Sequence, residues 1–132
     1  MAAYSNKTIN PNSEGTFQAA EAIALYARVK FNTSPDNSGK PKIVYADAAD
    51  VAIGVAMEPI ADGAFGLIRF LNAPGEQIGL ASGTIGLGVS IYGAADGKLS
   101  TVTSGGAKLV GVSTTTGADG GTLTYMQGVA SA

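Results

Sequence analysis

The chain has 132 residues and a mass of 13.1 kDa, with 8 Lys and Arg against 10 Asp and Glu for a formal net charge of −2. That is one domain's worth of sequence. It holds no Cys, His or Trp, which excludes a disulfide scaffold, Cys- or His-ligated zinc and any Ser-His-Asp or Cys-His relay. Charged residues are 14% of the chain, against roughly 25% in an average soluble domain. With no basic cluster, duplex binding through phosphate neutralisation is disfavoured. Hydrophobic residues at 45% are enough to build a core.

Residues 1–15 read as an extended N-terminal arm: Asn-, Ser- and Thr-rich, with Pro11 and isolated apolar residues at Tyr4 and Ile9. Such a segment buries too little surface to offset its own ordering entropy. The opening MAAYSNKTINPN has one Lys and no apolar stretch, so it does not read as a secretory signal. Residues 16–28 have helical propensity, with apolar residues at 17, 20, 24 and 27. The strand pattern that follows favours strand or turn over 17–21 and mainly strand over 23–31. Arg28-Val29-Lys30-Phe31 alternates as a half-buried strand does. Residues 32–40 (NTSPDNSGK) are a turn cluster, and Ile43-Val44-Tyr45 is strand-like. ADAAD at 46–50 is a connector, and the apolar run 51–57 reads as a strand buried on both faces. A turn at 61–63, a strand at 67–70 and a turn at 73–76 follow. The charge-poor stretch 77–96 is too broken by Gly and polar residues to span a membrane.

The second half repeats the first. Val110-Gly111-Val112 matches Ile53-Gly54-Val55 at an offset of 57, and Ala118-Asp119-Gly120 matches Ala61-Asp62-Gly63 at the same offset. Gly97-Lys98 matches Gly39-Lys40 at 58, and Val89-Ser90-Ile91 matches Val29-Lys30-Phe31 at 60. Short strands separated by turn signals, in two similar units, predict an all-β fold: a small β-barrel or β-sandwich over residues 16–132, preceded by the arm. Gly54 and Gly111, both inside strand patterns, imply close backbone approach and suggest a pseudo-twofold core where the units cross.

Catalytic and cofactor signatures are missing. Asp47 and Asp50 lie three apart in a connector and read as a solvated turn, far short of a calcium loop. Glu58 and Glu76 sit beside Pro or Gly and give no glycosidase pair. Residues 83–88 (GTIGLG) are not a dinucleotide fingerprint and precede a strand. Lys40 and Lys42 read as solvated loop charges. The five Tyr and four Phe are spread singly, without the interleaved basic residues of a single-strand platform. These counts describe a structural or binding module, with no enzyme activity, no metal and no cofactor expected.

The segment ADAADVAIGVAME at 46–58, together with 22–30, 88–101 and Leu109-Val110-Gly111-Val112, resembles the small capsid decoration, or cement, proteins of tailed bacteriophages. The likeness extends over roughly residues 17–126. The loop at 32–38 and the arm at 1–15 are longer than that pattern. The resemblance implies a β-rich protein made in the host cytoplasm that adds to the outer capsid surface of an expanded head in the virion. There it bridges copies of the major capsid protein, as a homotrimer at local threefold positions, against the pressure of packaged DNA. It implies no direct nucleic-acid or membrane partner. An arm adding a strand to a capsid sheet would be anchored by Tyr4, Ile9 and Phe17. The competing reading is a carbohydrate- or host-surface-binding β module on the virion, which the lack of Trp disfavours.

Overall fold

The computed structural model of the chain describes residues 13–128. Strands β1 (Glu14–Gln18), β2 (Arg28–Pro35), β3 (Pro41–Tyr45), β4 (Gly54–Ala56) and β5 (Phe65–Phe70) form one antiparallel sheet in the order β1-β5-β4-β2-β3. Strands β6 (Gln77–Leu80), β7 (Ser90–Gly93), β8 (Leu99–Ser100), β9 (Leu109–Ser113) and β10 (Thr122–Gln127) form a second, in the order β6-β10-β9-β7-β8. Adding five to every label of the first order gives the second. The expected all-β fold of two repeated units is therefore found, with a single short 3₁₀ turn, Ala95–Gly97, among the described residues.

Each sheet curls until its outer strands meet, which makes the units barrel-like. Ala19, just past β1, bridges Ile43 of β3 in parallel, and Ala20 N donates to Ile43 O at 2.9 Å. In the second unit Ala81 bridges Leu99 and Ser82 N donates to Leu99 O at 2.7 Å. Each barrel has its own core. Phe17, Ile23, Val29, Ile43, Ile60 and Ile68 fill the first. Ile85, Ile91, Leu99, Val110, Leu123 and Tyr125 fill the second. Burying a side chain of this size contributes about 1.5–3 kcal/mol.

The strand register revises the repeat. Ile91 pairs with Gly111 as Val29 pairs with Gly54, so the offset over β2 and β7 is 62, where the sequence match suggested 60. A two-residue slip keeps every side chain on its own face, so Val-Lys-Phe and Val-Ser-Ile align equally well by pattern in either register. The same offset of 62 relates Ala19 to Ala81 and Ile23 to Ile85, whose bridges to Ile60 and Gly117 correspond. Beyond the β2–β3 hairpin the offset falls to 56, because Lys30 pairs with Val44 whereas Tyr92 pairs with Ser100. The first hairpin is thus six residues longer than its counterpart, which is where the long loop at 32–38 lies.

Three further expectations are corrected. Residues 51–57 are not one buried strand: β4 is three residues long, and Val51, leaving the turn closed by Asp50 N to Asp47 O, is 72% exposed. Between β1 and β2 the chain is neither helix nor continuous strand, but a bridged turn in which Tyr26 takes a φ of 68°. Gly54 and Gly111 do not mark where the units cross. A Cβ on Gly54 would meet the Arg69 carbonyl oxygen at 2.7 Å, and one on Gly111 would fall on that of Met126, so each glycine lets its strand approach a neighbour in its own sheet.

Candidate functional site

The motif ADAAD forms the clasp between the units. Gly97 N donates to Ala46 O at 3.0 Å, Asp96 N to Asp47 Oδ1 at 3.0 Å and Lys108 N to Ala48 O at 3.0 Å. Asp50 Oδ2 accepts from Asp47 N at 2.8 Å and pairs with Lys30 Nζ at 2.9 Å. Those Lys30 and Asp47 hydrogen bonds hold the Asp50 carboxyl below its ordinary range. The connector carboxylates are therefore occupied in joining strands, not arranged around a cation. Among the described residues no group of three or more acidic side chains is placed to hold a metal ion. Glu58 Oε2 accepts from Leu67 N at 2.9 Å, and Glu76 is exposed ahead of β6.

Buried polar groups concentrate where the units meet, and sequence reading missed them. Arg28 is 3% exposed. Its Nε and Nη1 and the Tyr125 hydroxyl have no hydrogen-bond partner among the described residues. Burial lowers the Arg28 guanidinium from its ordinary value, partly offset by Tyr125, and burial pushes the Tyr125 hydroxyl up to about 12. Gly97, with a φ of 72°, lies so close that a Cβ there would stand 2.5 Å from Arg28 O. Buried Gln77 accepts from Arg69 Nε at 3.1 Å through its Oε1 and reaches Leu71 O and Ala73 O, each at 3.4 Å. The available signal was weak: Arg28 alternates with apolar neighbours as any half-buried strand residue does.

Of the anchor residues expected from the sequence, Tyr4 and Ile9 lie outside the described residues. Phe17 is a core residue, 6% exposed. Its ring packs on Phe31 at 5.4 Å and Phe70 at 6.0 Å. Lys40 Nζ sits 4.3 Å over the ring and donates to Thr16 O at 2.8 Å. Phe17 thus fixes β1 on the sheet. Lys40 is exposed, as expected, with its ammonium over that ring, and Lys42 is a half-buried residue of β3. Glu14 and Gly15, assigned by sequence to the arm, already belong to β1.

What the surface offers is a set of exposed apolar side chains. Phe65 extends β5, Leu87 and Val102 stand on loops, and Leu109 and Met126 lie on the second sheet.

No family model and no curated protein matches the chain. Among solved structures it is similar to the N-terminal base of the head fiber protein gp8.5 of bacteriophage phi29, with a TM-score of 0.73 and 15% identity over 87% of this chain and 92% of that one. At that identity the likeness is one of fold.

Proposed function

We propose that the chain is a capsid decoration protein. It binds the outer surface of an expanded phage head between capsomers, bridges copies of the major capsid protein and holds the shell against internal DNA pressure. The observation that carries this reading is the fold shared, over nearly the whole chain, with the base of a phage head fiber. The resemblance of residues 46–58 to cement proteins supports it independently, as does a surface with exposed apolar residues. As a homotrimer at local threefold positions the protein engages equivalent sites together, and effective concentration then multiplies a modest single-site affinity about 100-fold or more. Tyr4 and Ile9 anchor the N-terminal segment by strand addition to a capsid sheet.

Cosedimentation with purified expanded heads and with procapsids tests the reading. The protein pellets with expanded heads only and raises the temperature at which they rupture. A variant lacking residues 2–12 keeps its β-rich circular dichroism and binds heads at least about tenfold more weakly. Failure to bind expanded heads, or equal binding to procapsids, overturns the proposal.

A further inference from the structure

The two sheets have equivalent outer faces, and the chain covers one of them. In the first unit Arg28, Val55 and Arg69 lie side by side in register across β2, β4 and β5. The second unit closes over this row: β4 lies against β6, Arg69 is bonded to Gln77, and Val55 is fully buried. The equivalent row of the second unit is Ser90, Val112 and Met126 across β7, β9 and β10. It lies open, with Ser90 exposed and Met126 51% exposed. Half-buried Ile78, paired with Thr124, and half-buried Tyr92, paired with partly exposed Leu109, extend it on either side.

The substitutions between the units run both ways: Leu67 becomes Thr124 and Val44 becomes Ser100, while at the centre of the face three cations give way to uncharged residues. Arg28 becomes Ser90, Lys30 becomes Tyr92, Arg69 becomes Met126 and Thr16 becomes Ile78. The open face has thus lost three cations and keeps apolar side chains at its centre, around Val112 and Met126. With uncharged residues at its centre, the open face suits a protein occupant better than a phosphate backbone or a lipid headgroup. Two observations identify that occupant. The equivalent face of the first unit is covered by another copy of this fold, within the chain. The rim of the open face also carries exposed Glu76, just before β6, and exposed Lys108, just before β9, the two strands that flank β10. In a twofold pair whose axis runs along the strands, the β6 side of one face meets the β9 side of the other, setting Glu76 of one copy against Lys108 of another.

We propose that the outer face of the second sheet, centred on Val112 and Met126, is where copies of this chain associate, with Glu76 and Lys108 fixing the register. The proposal names the surface for the self-association in the decoration reading and rests on that part of it. Light scattering of the full chain after size exclusion tests it. Wild type elutes at a whole multiple of 13.1 kDa. Met126→Asp places a charge in the contact and raises the dissociation constant at least about 100-fold, with unchanged circular dichroism. Glu76→Lys and Lys108→Glu each weaken association roughly threefold to tenfold, and the double variant recovers it. A 13.1 kDa wild type, or an assembly that Met126→Asp leaves intact, overturns the proposal. Failure of the double variant to recover overturns the pairing of Glu76 with Lys108. Head binding is measured separately, so a monomer that still coats heads overturns this inference and leaves the coating standing.

Discussion

Tyr125 shows how one side chain reports on the junction between the units. Its hydroxyl is buried beside Arg28 without a hydrogen-bond partner among the described residues, and burial raises its pKa from 10.0 to about 12. The folded protein therefore keeps a proton that the unfolded chain releases. The associated stability is fully present below pH 10 and is lost as pH rises through the window from 10 to about 12. A shift of that size corresponds to about 2–3 kcal/mol. Tyr125→Phe has no such proton, so urea unfolding at pH 9 to 12 will show wild type losing about that much more stability than the variant. Equal losses in the two proteins refute the assignment. At the same scale Phe17 shows what strand alternation leaves open. In Glu14-Gly15-Thr16-Phe17-Gln18 the period of two puts Gly15 and Phe17 on one face, and both are buried. The alternation was legible, but only the pairing of β1 with β5 shows which side of the strand holds the core.

The strand pairs carry the repeat, and they show why half of it was visible. The marks Val-Gly-Val and Ala-Asp-Gly lie on β4, β9 and the turns after them, downstream of the hairpin insertion, so they share one offset. The upstream segments also correspond, yet residues 16–28 mimic a helix and residues 83–88 mimic a glycine loop, so propensity masked the match. At Tyr26 and Gly88 the backbone is the same, with φ of 68° and 69°, while the side chains are not. That left-handed turn ends any helix, and a bulky aromatic residue gives no hint of it. The two strand glycines make a prediction about the elements they join. Gly111→Ala drives a methyl group onto the Met126 carbonyl and separates β9 from β10. It costs about 3 kcal/mol or more in denaturant unfolding. Gly54→Ala costs less, because its methyl stands 2.7 Å from the Arg69 carbonyl oxygen where that of Gly111 overlaps the Met126 carbonyl, and its other close neighbour is the yielding Ile68 side chain. Equal costs count against the close-approach account.

Across the whole molecule, two small cores are made into one body by the ADAAD clasp and by the first unit's covered face. Units of this size are marginal alone, so the intact protein is expected to melt in one calorimetric transition. Asp47→Ala removes the acceptor for Asp96 N and costs about 1 kcal/mol, or roughly 2–8 °C in Tm. Asp47→Asn keeps an oxygen in place and loses less. A variant pair with equal Tm refutes the clasp as a contributor to stability. The composition of ADAAD marked it as a distinctive sequence, but its role was not legible. Its partners at Asp96, Gly97 and Lys108 are about fifty or more residues away, and their backbone N–H groups leave no trace in side-chain pattern. The parallel seams at Ala19–Ile43 and Ala81–Leu99 have one more effect. Where a sheet is stitched into a ring, few main-chain amides are left along its margin to recruit stray polypeptide. A protein of this design can be present at high density without zippering indiscriminately to its neighbours, and its choice of contacts falls to the flats of its sheets and to its loops.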